Sequence, residues 1–134
     1  MSINASPELF WLLMTVAMTA LMWLPYILNR MWEQGVVSAI WDPHGHTEAK
    51  AAWASRMMSA HGNAVENLVI LAPLVLMVVM TGSATAQTAL AVQVYFIARL
   101  VHYLVFSFAV PVLRVLSFLV GFSVQVLLVI NLLG

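Results

Sequence analysis

Apolar positions along the chain collect into four long runs separated by short polar breaks. The first run, residues 9–28, makes a helix of roughly 30 Å, enough to cross the hydrocarbon core of a bilayer. Ser6-Pro7-Glu8 ahead of it is a helix start: a capping hydroxyl, proline in the first turn and an acid at the positive end of the dipole. Pro25 has no N–H for the carbonyl of Leu21, so the last turn should bend, and Asn29-Arg30 close it. The second run is helical over about residues 51–80, with a kink expected at Pro73. Thr81 to Thr85 form a turn, the third helix covers about 86–108, Pro111 breaks it, and the fourth covers about 112–133. Helices at about 7–30, 51–80, 86–108 and 112–133 define an all-α integral membrane protein. The expected architecture is one four-helix, up-down-up-down domain over residues 1–134.

Composition agrees with the pattern. The chain is 63% hydrophobic and only 7% charged, with zero formal net charge. A soluble domain carries about a quarter charged residues, and the balanced charge excludes nucleic acid as a partner. Without cysteine there is no disulfide framework, thiolate metal ligand or cysteine nucleophile. The start lacks a basic n-region, so the first run is expected to be a retained span and not a cleaved signal. Residues 33–53 form the main polar segment. Within it Asp42-Pro-His44-Gly-His46 reads as a turn, and two histidines without a third ligand favour loop residues over a metal site.

The polar residues inside the spans are not scattered. At about 100° per residue, Arg56, Ser59, Asn63, Glu66 and Asn67 share one face of the second helix, and His61 points almost the other way. Tyr95, Arg99, His102, Tyr103 and Phe106 share a face of the third; Arg114, Ser117, Phe118, Gly121 and Gln125 share one of the fourth. Gly121 and Ser117 are small enough to let helices approach closely. A charge at the bilayer centre costs on the order of 2.5–3.5 kcal/mol even on the lenient insertion scale, so such groups turn inward.

Following the chain up and down, all five basic residues, the four histidines and Glu66 fall in one half of the bilayer or just outside it. The positive-inside rule places that half, with the 33–53 loop, in the cytoplasm. Glu66 and Arg99 lie at matching depth, so a salt bridge is expected, either as bundle glue or as part of a site. Arg30, Arg114, His102 and Asn63 add more positive and polar character than one glutamate neutralises, which points to an anionic ligand.

At these residues the chain resembles the MAPEG family, the membrane-associated proteins in eicosanoid and glutathione metabolism, which includes microsomal glutathione transferases. The resemblance rests on Ala60-His61-Gly62-Asn63-Ala-Val-Glu66, on Arg99-Leu-Val-His102-Tyr103 and on Pro111-Val-Leu-Arg114. It implies a homotrimer with glutathione as co-substrate, bound between subunits and open towards the cytoplasmic leaflet. It also implies glutathione contacts at Arg30, Asn63, Glu66, Arg99 and His102, with the thiolate held by Arg114. Tyr103 and Ser117 face the same way and join that set; His61 fits a helix with different neighbours on two sides, as in a trimer core. The chain departs from the family at Ser59, where an arginine is usual and for which Arg56 is a candidate replacement, and at Phe106 and Phe118, where hydroxyls are expected.

The expected function is a glutathione transferase or peroxidase acting on lipophilic electrophiles in the bilayer. A small multidrug-type exporter or a non-catalytic scaffold of the same fold are the alternatives, and Arg114 has a second reading as a headgroup anchor. The sidedness is directly testable in this cysteine-free chain. Single cysteines at Lys50 and Gly82 should label from opposite faces of sealed vesicles, and labelling of both from one face would overturn the four-span topology.

Overall fold

The computed structural model describes residues 2–42 and 47–134. After a 3-10 turn at Ile3–Ala5, helix α1 (Pro7–Leu21) opens where expected, with the Ser6 hydroxyl accepting from the Leu9 amide. It breaks at Met22-Trp23, because Pro25 leaves the Leu21 carbonyl without its intrahelical donor. Helix α2 (Leu24–Gln34) resumes at once, with Pro25 in its first turn, where a missing N–H costs nothing. Asn29-Arg30 therefore does not end the helix, which runs on to Gln34. Gly35, at φ 83°, then turns the chain into a short helix α3 (Val36–Trp41) inside the segment that sequence had shown only as polar. The predicted turn lies outside the described residues beyond Asp42, together with His44 and His46.

Helix α4 (Ala52–Met80) passes through Pro73 as one continuous helix. Helix α5 (Ala86–Ser107) starts on a capping box between Thr85 and Thr88, and helix α6 (Pro111–Leu133) follows a tight turn through Ala109 at φ 59°. The segment α1–α2, α4, α5 and α6 are each long and apolar enough to cross a membrane. This is an all-helical, four-span membrane protein. Helix α5 is the hub, packing on α6, α4 and α1.

Its core has two parts. One is aliphatic and includes Leu71, Val75, Val78, Val92, Tyr95 and Leu128. The other gathers Met22, Met57, Ala60, Ala64 and Tyr103, with Tyr26 and Phe106 packed against it. Helices in lipid gain little from hydrophobic association and depend on close backbone approach. Ala54, Ala60 and Ala64 on α4 provide it there, and Gly121 provides it on α6: a Cβ at that position would lie 3.6 Å from both Arg99 Cδ and Tyr95 Cε2.

Two carboxylates fasten the bundle at opposite ends. Glu33 accepts from the amides of Lys50 and Ala51, both at 2.9 Å, and from Asn29 Nδ2 at 3.0 Å. Ala51 has no side chain able to cap α4, so a carboxylate from α2 serves the orphan amides at that helix start. At the other end the buried Glu8 accepts from Thr88 Oγ1 at 2.7 Å and from Ser6 Oγ at 3.2 Å, joining the starts of α1 and α5. Thr88→Val removes a donor to a buried carboxylate and half of the capping box. It should lower the stability of the detergent-solubilised protein by about 1–3 kcal/mol. Thr88→Ser should restore most of it and Ser123→Ala, an exposed control, should change nothing, read as shifts in thermal unfolding.

Candidate functional site

The polar residues of the spans meet around α5. Arg99 is only 2% exposed, and its Nη2 donates to Asn63 Oδ1 at 2.6 Å. By helix rise from the ends of α4 and α5, the pair lies about 12–17 Å from the end of the bundle that carries the charges. The second asparagine continues the contact sideways: Asn67 Nδ2 donates to the Asn63 carbonyl at 2.9 Å, and Gln125 Nε2 donates to the Asn67 carbonyl at 3.2 Å. A single polar seam thus links α5, α4 and α6 within an apolar bundle.

The seam is not neutralised. Glu66, expected to pair with Arg99, lies exposed on the outer face of α4, and Asn63 takes the guanidinium in its place. The reason is angular: Asn63 sits towards α5, and three residues further on the helix has turned the Glu66 side chain outward. Among the described residues no carboxylate pairs with Arg99. Arg99 Nε, Tyr95 Oη and His102 Nδ1, all on α5, are buried without a hydrogen-bond partner. Leaving a cation in low dielectric with one neutral acceptor costs on the order of several kcal/mol. An anion is the natural complement.

A second cation stands one layer closer to the charged end. Arg114 is exposed in the first turns of α6, its Cζ 5.0 Å from the Phe106 ring centroid. Helix α6 has no side-chain cap, so its open amides and dipole add to the positive potential at that corner. His102 is buried beneath it against Phe106 and Phe118, ring centroids 5.6 and 6.1 Å away. These two phenylalanines stand where hydroxyls were expected, which makes the histidine the polar group between them.

Other expected site residues are engaged elsewhere. The Tyr103 hydroxyl donates to the Met22 carbonyl at 2.8 Å, serving the break between α1 and α2. Ser117 donates its proton to the carbonyls of Leu113 and Arg114, at 2.7 and 3.1 Å, and so is not a donor towards a ligand beside Arg114. Arg56 Nε donates to the Ser107 carbonyl at 2.8 Å, where it caps the negative end of α5 and does not stand in for an arginine at Ser59. Ser59 itself is exposed and bonds to the carbonyl of Ser55. Arg30 Nη2 donates to the Thr47 carbonyl at 3.3 Å, on the α2 side of the bundle. His61 needs no second subunit to account for its direction: its Nδ1 shares a 2.8 Å hydrogen bond with the Tyr26 hydroxyl of the same chain.

A family model matches residues 9–134, nearly the whole chain and all four spans just described. The chain belongs to the MAPEG family. No curated protein and no solved structure gives a match. Membership supports a general membrane role in glutathione-related or eicosanoid metabolism. Three polar residues with cross-helix bonds, Asn67, Gln125 and Tyr26, went unassigned in the sequence. Asn67 and Gln125 were already visible as polar residues on the inward faces of their helices, and a full listing of those faces would have found them. Tyr26 carried no such signal, because its partner His61 is 35 residues away on another helix.

The Asn63–Arg99 bond should show as energetic coupling. Asn63→Ala and Arg99→Leu, singly and together, should give a double-mutant interaction energy of about 1.5–3 kcal/mol in detergent unfolding. Additive losses would mean that the asparagine does not hold the guanidinium.

Proposed function

We propose that this MAPEG protein is a homotrimeric glutathione transferase or peroxidase that attacks lipophilic electrophiles dissolved in the bilayer, its charged half facing the cytoplasm. The observation that carries the reading is Arg114: an exposed guanidinium at an uncapped helix start, backed by an aromatic ring and paired with no carboxylate among the described residues. The chain has no cysteine, so a sulfur nucleophile must come with the co-substrate. A free thiol has a pKa of about 8.5 and is mostly protonated at neutral pH, whereas the thiolate reacts. Each tenfold gain in thiolate needs about 1.4 kcal/mol of preference for the anion. A charge-assisted contact to a guanidinium supplies roughly 1.5–3 kcal/mol. In this reading Arg114 holds the thiolate, while the cationic seam at Arg99 and Asn63 receives a carboxylate of the tripeptide.

The outer face of α4 supports the trimer. Ser55, Ser59, Gly62, Glu66, Val69 and Pro73 are all exposed and spaced alternately four and three residues apart. That spacing is the seam of a helix meeting another helix, and a glutamate within a span needs a protein neighbour. An exporter of cationic drugs fits poorly, because the inward charges here are positive.

Arg114→Ala should abolish the thiolate ultraviolet band of the glutathione complex. It should cut conjugation of a model aryl halide roughly ten- to hundredfold, with the oligomer unchanged by size. Arg114→Lys should recover part of both. Full thiolate absorbance and normal turnover in the alanine variant would reassign Arg114 to a headgroup anchor.

A further inference from the structure

Helix α3 presents an apolar surface that no other described part of the chain covers. Val37, Ile40 and Trp41 are 69%, 70% and 78% exposed, and Trp32, one turn before the end of α2, is 89% exposed. Residues 34–41 contain no charged side chain, and Glu33 and Asp42 flank them. In water such a surface would be an association hazard. Its position supplies another medium.

Three observations fix that position. The combined span α1–α2 is 28 residues long, about 42 Å at helix rise, which exceeds the ~30 Å hydrocarbon core and brings Gln34 out into the headgroup layer. The described residues on the two sides of the loop are also tied to each other and to the end of α2. Glu33 binds the amides of Lys50 and Ala51, Arg30 binds the Thr47 carbonyl, and the Thr47 amide donates to Asp42 Oδ2 at 3.3 Å. The preceding span also carries exposed apolar side chains at helical spacing up to its end, Leu21, Leu24, Leu28 and Trp32. Tryptophan at both ends of the patch, Trp32 and Trp41, is the residue type enriched at the membrane–water boundary.

We infer that α3 is an in-plane interfacial helix, docked into the headgroup–acyl boundary of the same leaflet, with the bilayer lipid as its partner. A short apolar helix in that layer is held by its buried apolar side chains. Helix α3 lies next to the end of α2, where Arg30 binds the Thr47 carbonyl beside the charged half of the bundle.

The test uses the absence of native cysteine. Val37→Cys and Glu48→Cys, each alone, are labelled with an environment-sensitive fluorophore and the full chain is reconstituted in phosphatidylcholine vesicles. The probe at position 37 should be blue-shifted, quenched by lipids carrying a nitroxide high on the acyl chain, and at least threefold less accessible to aqueous iodide than the probe at 48. Iodide access equal at the two positions would show that α3 stands in water and overturn the inference. So would shielding at 37 without lipid quenching, accompanied by cross-linking between Val37→Cys chains, which would make the surface a contact between copies.

Discussion

The bundle is organised around a guanidinium that is buried among the helices and, among the described residues, pairs with no carboxylate. Arg99 is buried on the central helix, held by Asn63 from α4 and overlain by the backbone of α6 at Gly121. Such a charge is tolerated only where its surroundings are polar and its geometry rigid. The asparagine–asparagine–glutamine seam supplies the polarity, and the small residues of α4 and α6 bring the helices close enough to keep it in place. The same arrangement leaves Arg99 Nε, Tyr95 Oη and His102 Nδ1 unsatisfied on one helix.

Among the described residues, none of the carboxylates pairs with Arg99 or Arg114. Glu8 and Glu33 are committed to hydroxyls and amides at opposite ends of the bundle. Glu66 is at the right depth but turned outward by the helix. Positive charge therefore dominates the interior of one half, with Arg114 at its edge and the uncapped start of α6 beside it. The arginines Arg56 and Arg30 take a different part, closing the end of α5 and fastening the loop.

The polar loop belongs to the same design. Its fastening through Glu33 substitutes for a missing cap on α4, so that the start of the helix bearing Asn63 is set by a residue on α2. Position along the membrane normal is thereby shared between the first span, the loop and the site-bearing helix.

Much of this was legible in the chain itself. Four apolar runs of membrane length, the prolines between or within them, and the one-sided distribution of charge follow from local composition, because each span must satisfy its own backbone in lipid. Helical periodicity also put Asn63, Arg99, His102 and Gln125 on inward faces, since that depends only on residues within one helix. What the sequence could not determine was which inward group meets which. Asn63 and Glu66 are nearly equivalent by periodicity, and only the rotation of α4 against α5 selects the asparagine. Tyr103, Ser117 and Arg56 share the site's faces, yet their donors go to carbonyls at Met22, Leu113 and Ser107. The Met22 acceptor arises from the helix break, and Ser107 from the end of α5. Such acceptors are created by where helices stop and how they cross, and only the tertiary structure decides that.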